Sequence, residues 1–241
     1  MKKQFTALSK LAALSVLAAF AAPAMAQQAG DNVVNVGWAH VSLNQSSELL
    51  SVNGNAIPGT GARVSNADTL LVDFSHFFTD NFAVTADMGV PPTFKLYGQG
   101  ALLQGLGQIA TAKQWSPALL GKYYFGEATS TFRPYLGGGV AYVWYSDIKL
   151  TNNLTQLLGL VAAGNPSAST SAKLSSSFVP IANVGFVYNI NNNWSVNASL
   201  AYVKLSTKAD LSTETPTGTV HSTTKITLDP LVSTLTVGYK F

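Results

Sequence analysis

The sequence predicts an all-β fold: an eight-stranded antiparallel transmembrane β-barrel with long connections at one end and short turns at the other. Three observations predict it. Side chains alternate across a strand, so Phe132 to Tyr145 places Phe132, Pro134, Leu136, Gly138, Val140, Tyr142 and Trp144 on one face. That face has no charge and is aromatic at both ends, as a strand meeting lipid between two interfaces requires. The opposite face starts at Arg133, passes Gly137 and Gly139 and ends apolar at Val143 and Tyr145, which is not the polar face of a soluble sheet. Charged residues are only 10% of the chain, against ~25% in soluble domains. Yet beyond residue 26 no apolar run approaches the ~18 residues of a spanning helix, and a closed barrel is the other way to satisfy the backbone in lipid. The third observation is a regular alternation of long and short connections, each short one bracketed by aromatic rings.

Residues 1–26 have the pattern of a cleaved secretory signal peptide: Lys2 and Lys3, an apolar run from Leu11 to Phe20, and the small-residue site Pro23-Ala24-Met25-Ala26. The expected mature domain is 27–241. Cleavage would remove Lys2, Lys3 and Lys10 and with them the formal charge of +3. No clustered basic face then remains for nucleic acid. The chain has no cysteine, and His40, His76 and His221 are too dispersed to form a ligand-spaced pair, so no metal or other cofactor is expected.

In chain order, the first strand is expected near Val34 to Val41. The second, Thr69 to Phe78, ends at the Thr79-Asp80-Asn81 turn, and the third, Phe82 to Gly89, is stopped by Pro91 and Pro92. Leu102, Leu103, Leu106 and Ile109 then have roughly helical spacing, weakened by Gly105 and Gly107. The fourth strand covers Trp115 to Phe125 and the fifth starts at Phe132. Leu154, Leu157, Leu158 and Val161 predict a short helix. The sixth strand is Phe178 to Tyr188, the seventh Trp194 to Val203, and the eighth carries Leu231, Leu235, Val237, Tyr239 and Phe241 outward. The rings bracket every short turn: Phe78 and Phe82, Phe125 and Phe132, Tyr188 and Trp194. Between them the lipid row has no Lys, Arg, Asp or Glu; a basic residue at the midplane would cost roughly 2 to 4 kcal/mol. A one-residue slip would carry Lys122 or Asp87 into lipid, which fixes the register.

Strand direction sorts the inward residues by height. Toward the short turns lie Asp73, Lys122 and Arg133, with Asp87 nearer the middle. These four are expected to form a charge-compensated polar plug, since buried charge needs a partner. Toward the long loops lie Leu71, Val143, Tyr145, Val179, Ile181 and Val203, an apolar pocket suited to a hydrophobic guest. An eight-stranded barrel is wide enough for packed side chains or one small ligand. Straight passage through a polar plug is unfavourable for such a guest, so a sideways exit is expected. Pro117, Pro180 and Pro230 are its candidates, because proline donates no ladder hydrogen bond. Phe241 ends the outward row and is the candidate assembly signal.

The segments Trp115-Ser116-Pro117-Ala118-Leu119-Leu120, Tyr124-Phe125-Gly126, Phe132-Arg133-Pro134-Tyr135-Leu136-Gly137, Leu228-Asp229-Pro230 and the terminal Val237-Gly238-Tyr239-Lys240-Phe241 together resemble the OmpW/AlkL family. The similarity runs over essentially the whole mature chain. It implies residence in the outer membrane of a Gram-negative cell and uptake of small hydrophobic molecules. It also implies a lateral route from lumen to membrane lipid, a closed periplasmic end, and insertion by the barrel-assembly machinery, which would read Phe241. The alternatives are a structural or adhesive barrel without transport and a lipid-modifying enzyme. The only serine and histidine candidates for catalysis are Ser212 or Ser222 with His221, in a Ser/Thr-rich loop, so no catalytic residue is assigned.

Overall fold

The structure is a computed structural model and describes residues 27–241. The export signal expected over residues 1–26 lies outside the described residues. Eight long strands form the barrel: β1 Asn32–Leu43, β2 Ala67–Phe77, β3 Phe82–Gly89, β4 Ala118–Tyr124, β5 Phe132–Leu150, β6 Ser177–Asn189, β7 Trp194–Val203 and β8 Pro230–Lys240. Neighbours in sequence pair antiparallel, and β1 pairs with β8 from Val33↔Lys240 to Leu43↔Pro230, which closes the ring. No helix among the described residues is long and apolar enough to cross a membrane.

The two faces separate as alternation requires. Val36, Trp38, Val72, Phe74, Leu119, Leu136, Val140, Val184, Leu200, Leu235 and Val237 are exposed on the outside, while Asn35, Asp73, Thr85, Lys122, Arg133, Tyr135, Asn183 and Asn197 are buried within. An apolar exterior over a polar interior is stable only where the exterior meets lipid. The short turns are held by their own side chains. Thr79 Oγ1 accepts from the backbone N–H groups of Asn81 and Phe82, and Asn191 Oδ1 accepts from those of Asn193 and Trp194.

At the opposite end the wall continues above the membrane band. β5 runs 19 residues, and its upper part pairs with Gln108–Trp115, which in turn pairs with Thr93–Gln99. A second sheet is built on the hairpin Ser206–Thr215 and Gly218–Thr227, with Thr170–Leu174 on one side. Helix α1, Asn152–Ala163, covers this extension with Leu154 and Leu158 buried, and ends at Gly164 with φ 62, a left-handed position that favours glycine. The main apolar cluster, including Leu158, Val179, Leu205, Leu211 and Ile226, spans the upper lumen and the extension.

Two expectations are corrected here. Leu102 to Ile109 forms only a 3-10 turn, Gln104–Leu106, followed by a strand; Gly105 and Gly107 make a helix too costly. Trp115 to Phe125 is not one strand either. It breaks at Ser116-Pro117, with β4 starting at Ala118.

Candidate ligand site in the barrel lumen

The short-turn end is stoppered. Arg133 is fully buried, and its guanidinium donates to the carbonyl of Gln27 at 2.9 Å and to that of Asp80. It also stacks over Tyr124, 5.4 Å from the ring centroid. Gln27 Nε2 donates to Asn189 Oδ1 at 3.1 Å. Around them Val33, Phe77, Ala83, Tyr124, Tyr135 and Val187 pack as a small apolar cluster. This aromatic stopper was not anticipated, although Phe77 and Tyr124 both have inward parity at strand ends.

Arg133 is therefore not a member of the expected four-residue plug. The other three meet one layer higher. Asp73 and Asp87 are direct cross-strand partners, and both attract Lys122 across the lumen. Asn35 Nδ2 donates to Asp73 Oδ1 at 2.7 Å, and the Tyr135 hydroxyl donates to Asn197 Oδ1 at 3.1 Å. Register along β5 explains the separation. Lys122 lies opposite Gly137, four residues along β5 from Arg133, so the two cations occupy different storeys.

Above this floor is a cavity of about 150 Å³. Asp73, Asp87, Lys122 and Asn183 form its base; Leu71, Ala141, Val143, Ile181 and Val203 line its wall. Of the six predicted pocket residues, Leu71, Val143, Ile181 and Val203 are at the cavity. Val179 is buried in the adjoining apolar cluster. Tyr145 stands higher, at a constriction of about 20 Å³ shared with Phe94, Leu96 and Leu228. Beyond it lies a second, almost wholly apolar cavity of about 80 Å³ lined by Leu96, Leu103, Ile109, Leu158 and Leu211.

The main cavity reaches the barrel wall on one side. Its lining includes Met88 to Pro92 at the top of β3 and Gln114 to Pro117 before β4. The β3/β4 ladder stops at Asp87↔Ala118. The next backbone bond between the two segments, among the described residues, is Gln114 N–H to Pro92 O at 3.1 Å. This seam has Met88, 61% exposed, and Leu119, 55% exposed, on its outer flanks. Trp115 braces one side, stacked on Trp144 at 5.7 Å and donating to Ser146 Oγ at 3.1 Å. Of the candidate prolines, Pro117 stands at the seam. Pro180 sits inside a continuous ladder opposite Val140, and Pro230 starts β8 opposite Leu43. Pro91 and Pro92 belong to the seam as well; they were legible only as a strand stop.

Above the membrane band, Lys204 Nζ and Asp229 Oδ2 pair at 2.6 Å, and the Leu205 N–H donates to Asp229 Oδ1 at 3.0 Å. Burial pushes the Asp229 carboxyl up, but these hydrogen bonds outweigh it and hold the group below the usual carboxylate range. Ser212 Oγ and His221 Nδ1 are 3.3 Å apart on the exposed hairpin, and neither lines the lumen.

A closed eight-stranded barrel with an apolar outer band, a stoppered lower end and a cavity open to the wall defines an outer-membrane β-barrel protein. The chain belongs to the OmpW family, which it matches over residues 28–241. It is 32% identical to outer membrane protein W of Vibrio cholerae, over 100% of both chains. The crystal structure of OprG from Pseudomonas aeruginosa is similar at a TM-score of 0.79 and 30% identity, covering 90% of this chain and 99% of that one. The structure of AlkL in DMPC lipid bilayers is similar at a TM-score of 0.64 and 25% identity, covering 92% and 95%. The protein is thus an outer-membrane barrel, and its relatives are barrel proteins of the same membrane.

Proposed function

We propose that this protein is a passive entry route for small hydrophobic molecules. A guest passes the external extension, rests against Leu71, Val143, Ile181 and Val203, and leaves through the β3/β4 seam into outer-membrane lipid. One observation carries the reading: a single cavity touches a largely apolar wall, a closed polar floor and a stretch of the barrel surface where β3 and the segment before β4 are not bonded to each other. Downward passage would strip an apolar guest of its burial and displace buried charge, which is unfavourable on both counts. Sideways passage keeps the guest in apolar surroundings, since Met88, Val90 and Leu119 flank the seam. The prolines keep it open, because Pro91, Pro92 and Pro117 supply no N–H to extend the ladder.

The test compares hydrophobic uptake by cells carrying equal amounts of folded protein. Ile181→Asp places a charge in the pocket wall and should abolish uptake. Replacing Pro91, Pro92 and Pro117 with Val or Thr restores ladder donors and should reduce it, whereas Pro180→Val should leave it unchanged. If uptake is the same in all variants and in cells without the protein, the chain is an adhesive or structural barrel instead.

A further inference from the structure

The lumen floor carries a donor and acceptors that the protein leaves unused. Lys122 is only 4% exposed. Among the described residues its amino group has no hydrogen-bond or ion-pair partner; it stands over the Tyr135 ring, 5.3 Å from the centroid. Asp87 Oδ1 and Asn183 Oδ1 are buried without a partner. The orientation of Asn183 is fixed, because its nitrogen donates to Ser199 Oγ at 3.3 Å and to the Leu200 carbonyl at 3.2 Å, leaving the oxygen as an acceptor. Gly137 brings the two sides together. A Cβ there would lie 3.1 Å from Lys122 Cγ and 3.5 Å from Asn183 Oδ1. All three unused groups belong to residues at the base of the 150 Å³ cavity, whose upper wall is largely apolar.

Unsatisfied buried polar groups are costly and call for a partner. A carboxylate guest would satisfy Lys122 but meet Asp73 and Asp87. An ammonium would satisfy the carboxylates but face Lys122. An uncharged group that accepts from Lys122 while donating to Asp87 or Asn183 satisfies both sides at once, and the simplest is a hydroxyl. We propose that the lumen floor recognises the hydroxyl of an otherwise hydrophobic molecule, so that alcohols and phenols are held in preference to the corresponding hydrocarbons. This rests on the lumen being a ligand site.

The experiment titrates naphthalene and 1-naphthol into the full barrel domain in lipid nanodiscs with labelled Ile and Val methyl groups. Empty nanodiscs correct for partitioning into lipid, and the Ile181 and Val203 methyl resonances report occupancy of the lumen. The expected result is that both compounds shift these resonances and that 1-naphthol binds roughly tenfold more tightly, the scale of one hydrogen bond to a charged group. In Lys122→Met the two affinities should converge. Asp87→Asn provides an independent variant, with the same methyl spectrum as the folding check, and should also narrow the difference. Equal affinities in the unaltered protein overturn the proposal, meaning that the floor holds water only, and leave the lumen reading intact. Absence of any shift with either compound overturns the lumen reading itself, and this proposal with it.

Discussion

Tyr135 and Gly185 face each other across β5 and β6, and the tyrosine occupies the space that a side chain at residue 185 would fill. A Cβ on Gly185 would lie 2.6 Å from the Tyr135 hydroxyl oxygen. The ring is 99% out of contact with solvent and ties the apolar stopper to Asn197 through its hydroxyl. Gly185→Ala must therefore displace Tyr135 or the neighbouring strand. We expect a loss of about 1–3 kcal/mol of stability, the usual cost of overpacking, read as a lower urea midpoint for barrel unfolding in vesicles. An unchanged midpoint would show that the ring has room to move.

Arg133 closes the lower end through two backbone carbonyls, those of Gln27 and Asp80. Arg133→Ala removes the largest fully buried side chain of the stopper and leaves both carbonyls unmet. The expected outcome is measurable ion conductance across planar bilayers where the unaltered protein shows little. Equal conductance would mean that the aromatic cluster seals the barrel without the arginine.

Phe241 extends the outward row of Leu235, Val237 and Tyr239 and is 63% exposed, while its backbone exchanges hydrogen bonds with Asn32. We propose that the assembly machinery reads this terminal aromatic. Phe241→Asp should lower the amount of protein in the outer membrane, measured against total synthesis, and normal insertion would exclude the assignment.

The Asp229 carboxyl is held below its usual range in the folded protein. A depressed carboxylate contributes stability that is complete above the unfolded value of about 4 and is lost as pH falls through the folded value. Hydrogen-exchange protection of the Leu205 amide, which donates to Asp229, should therefore be constant from neutral pH down to about 4 and then decline. Asp229→Asn should show the reduced protection already at neutral pH. Protection independent of both pH and substitution would rule out this contact as a clasp.

The membrane band was legible because lipid imposes a strict rule on every second residue. Leu136, Val140, Leu200 and Val237 face outward and Lys122, Arg133 and Asn183 inward as alternation requires. The wall above the membrane was less legible. Ser206–Thr215 and Gly218–Thr227 are strands, yet their Ser, Thr and Lys residues read as a solvated loop, since a sheet in water can be polar on its outer side. The pocket residues Leu71, Val143, Ile181 and Val203 were recoverable from strand direction and parity. The seam was only partly so. Proline marks where a ladder bond is missing, but whether the gap faces a cavity depends on which strands are neighbours, and this separates Pro117 from Pro180.

The ring closes between the first strand and the last, with Asn32 bonded to the terminal Phe241. Until β8 is in place, β1 and β7 are two open edges, each an unsatisfied row of backbone groups that can pair with another chain. A chain that lacks β8 can hide neither edge. Only the pairing of β8 on both of its sides removes the two free edges at once.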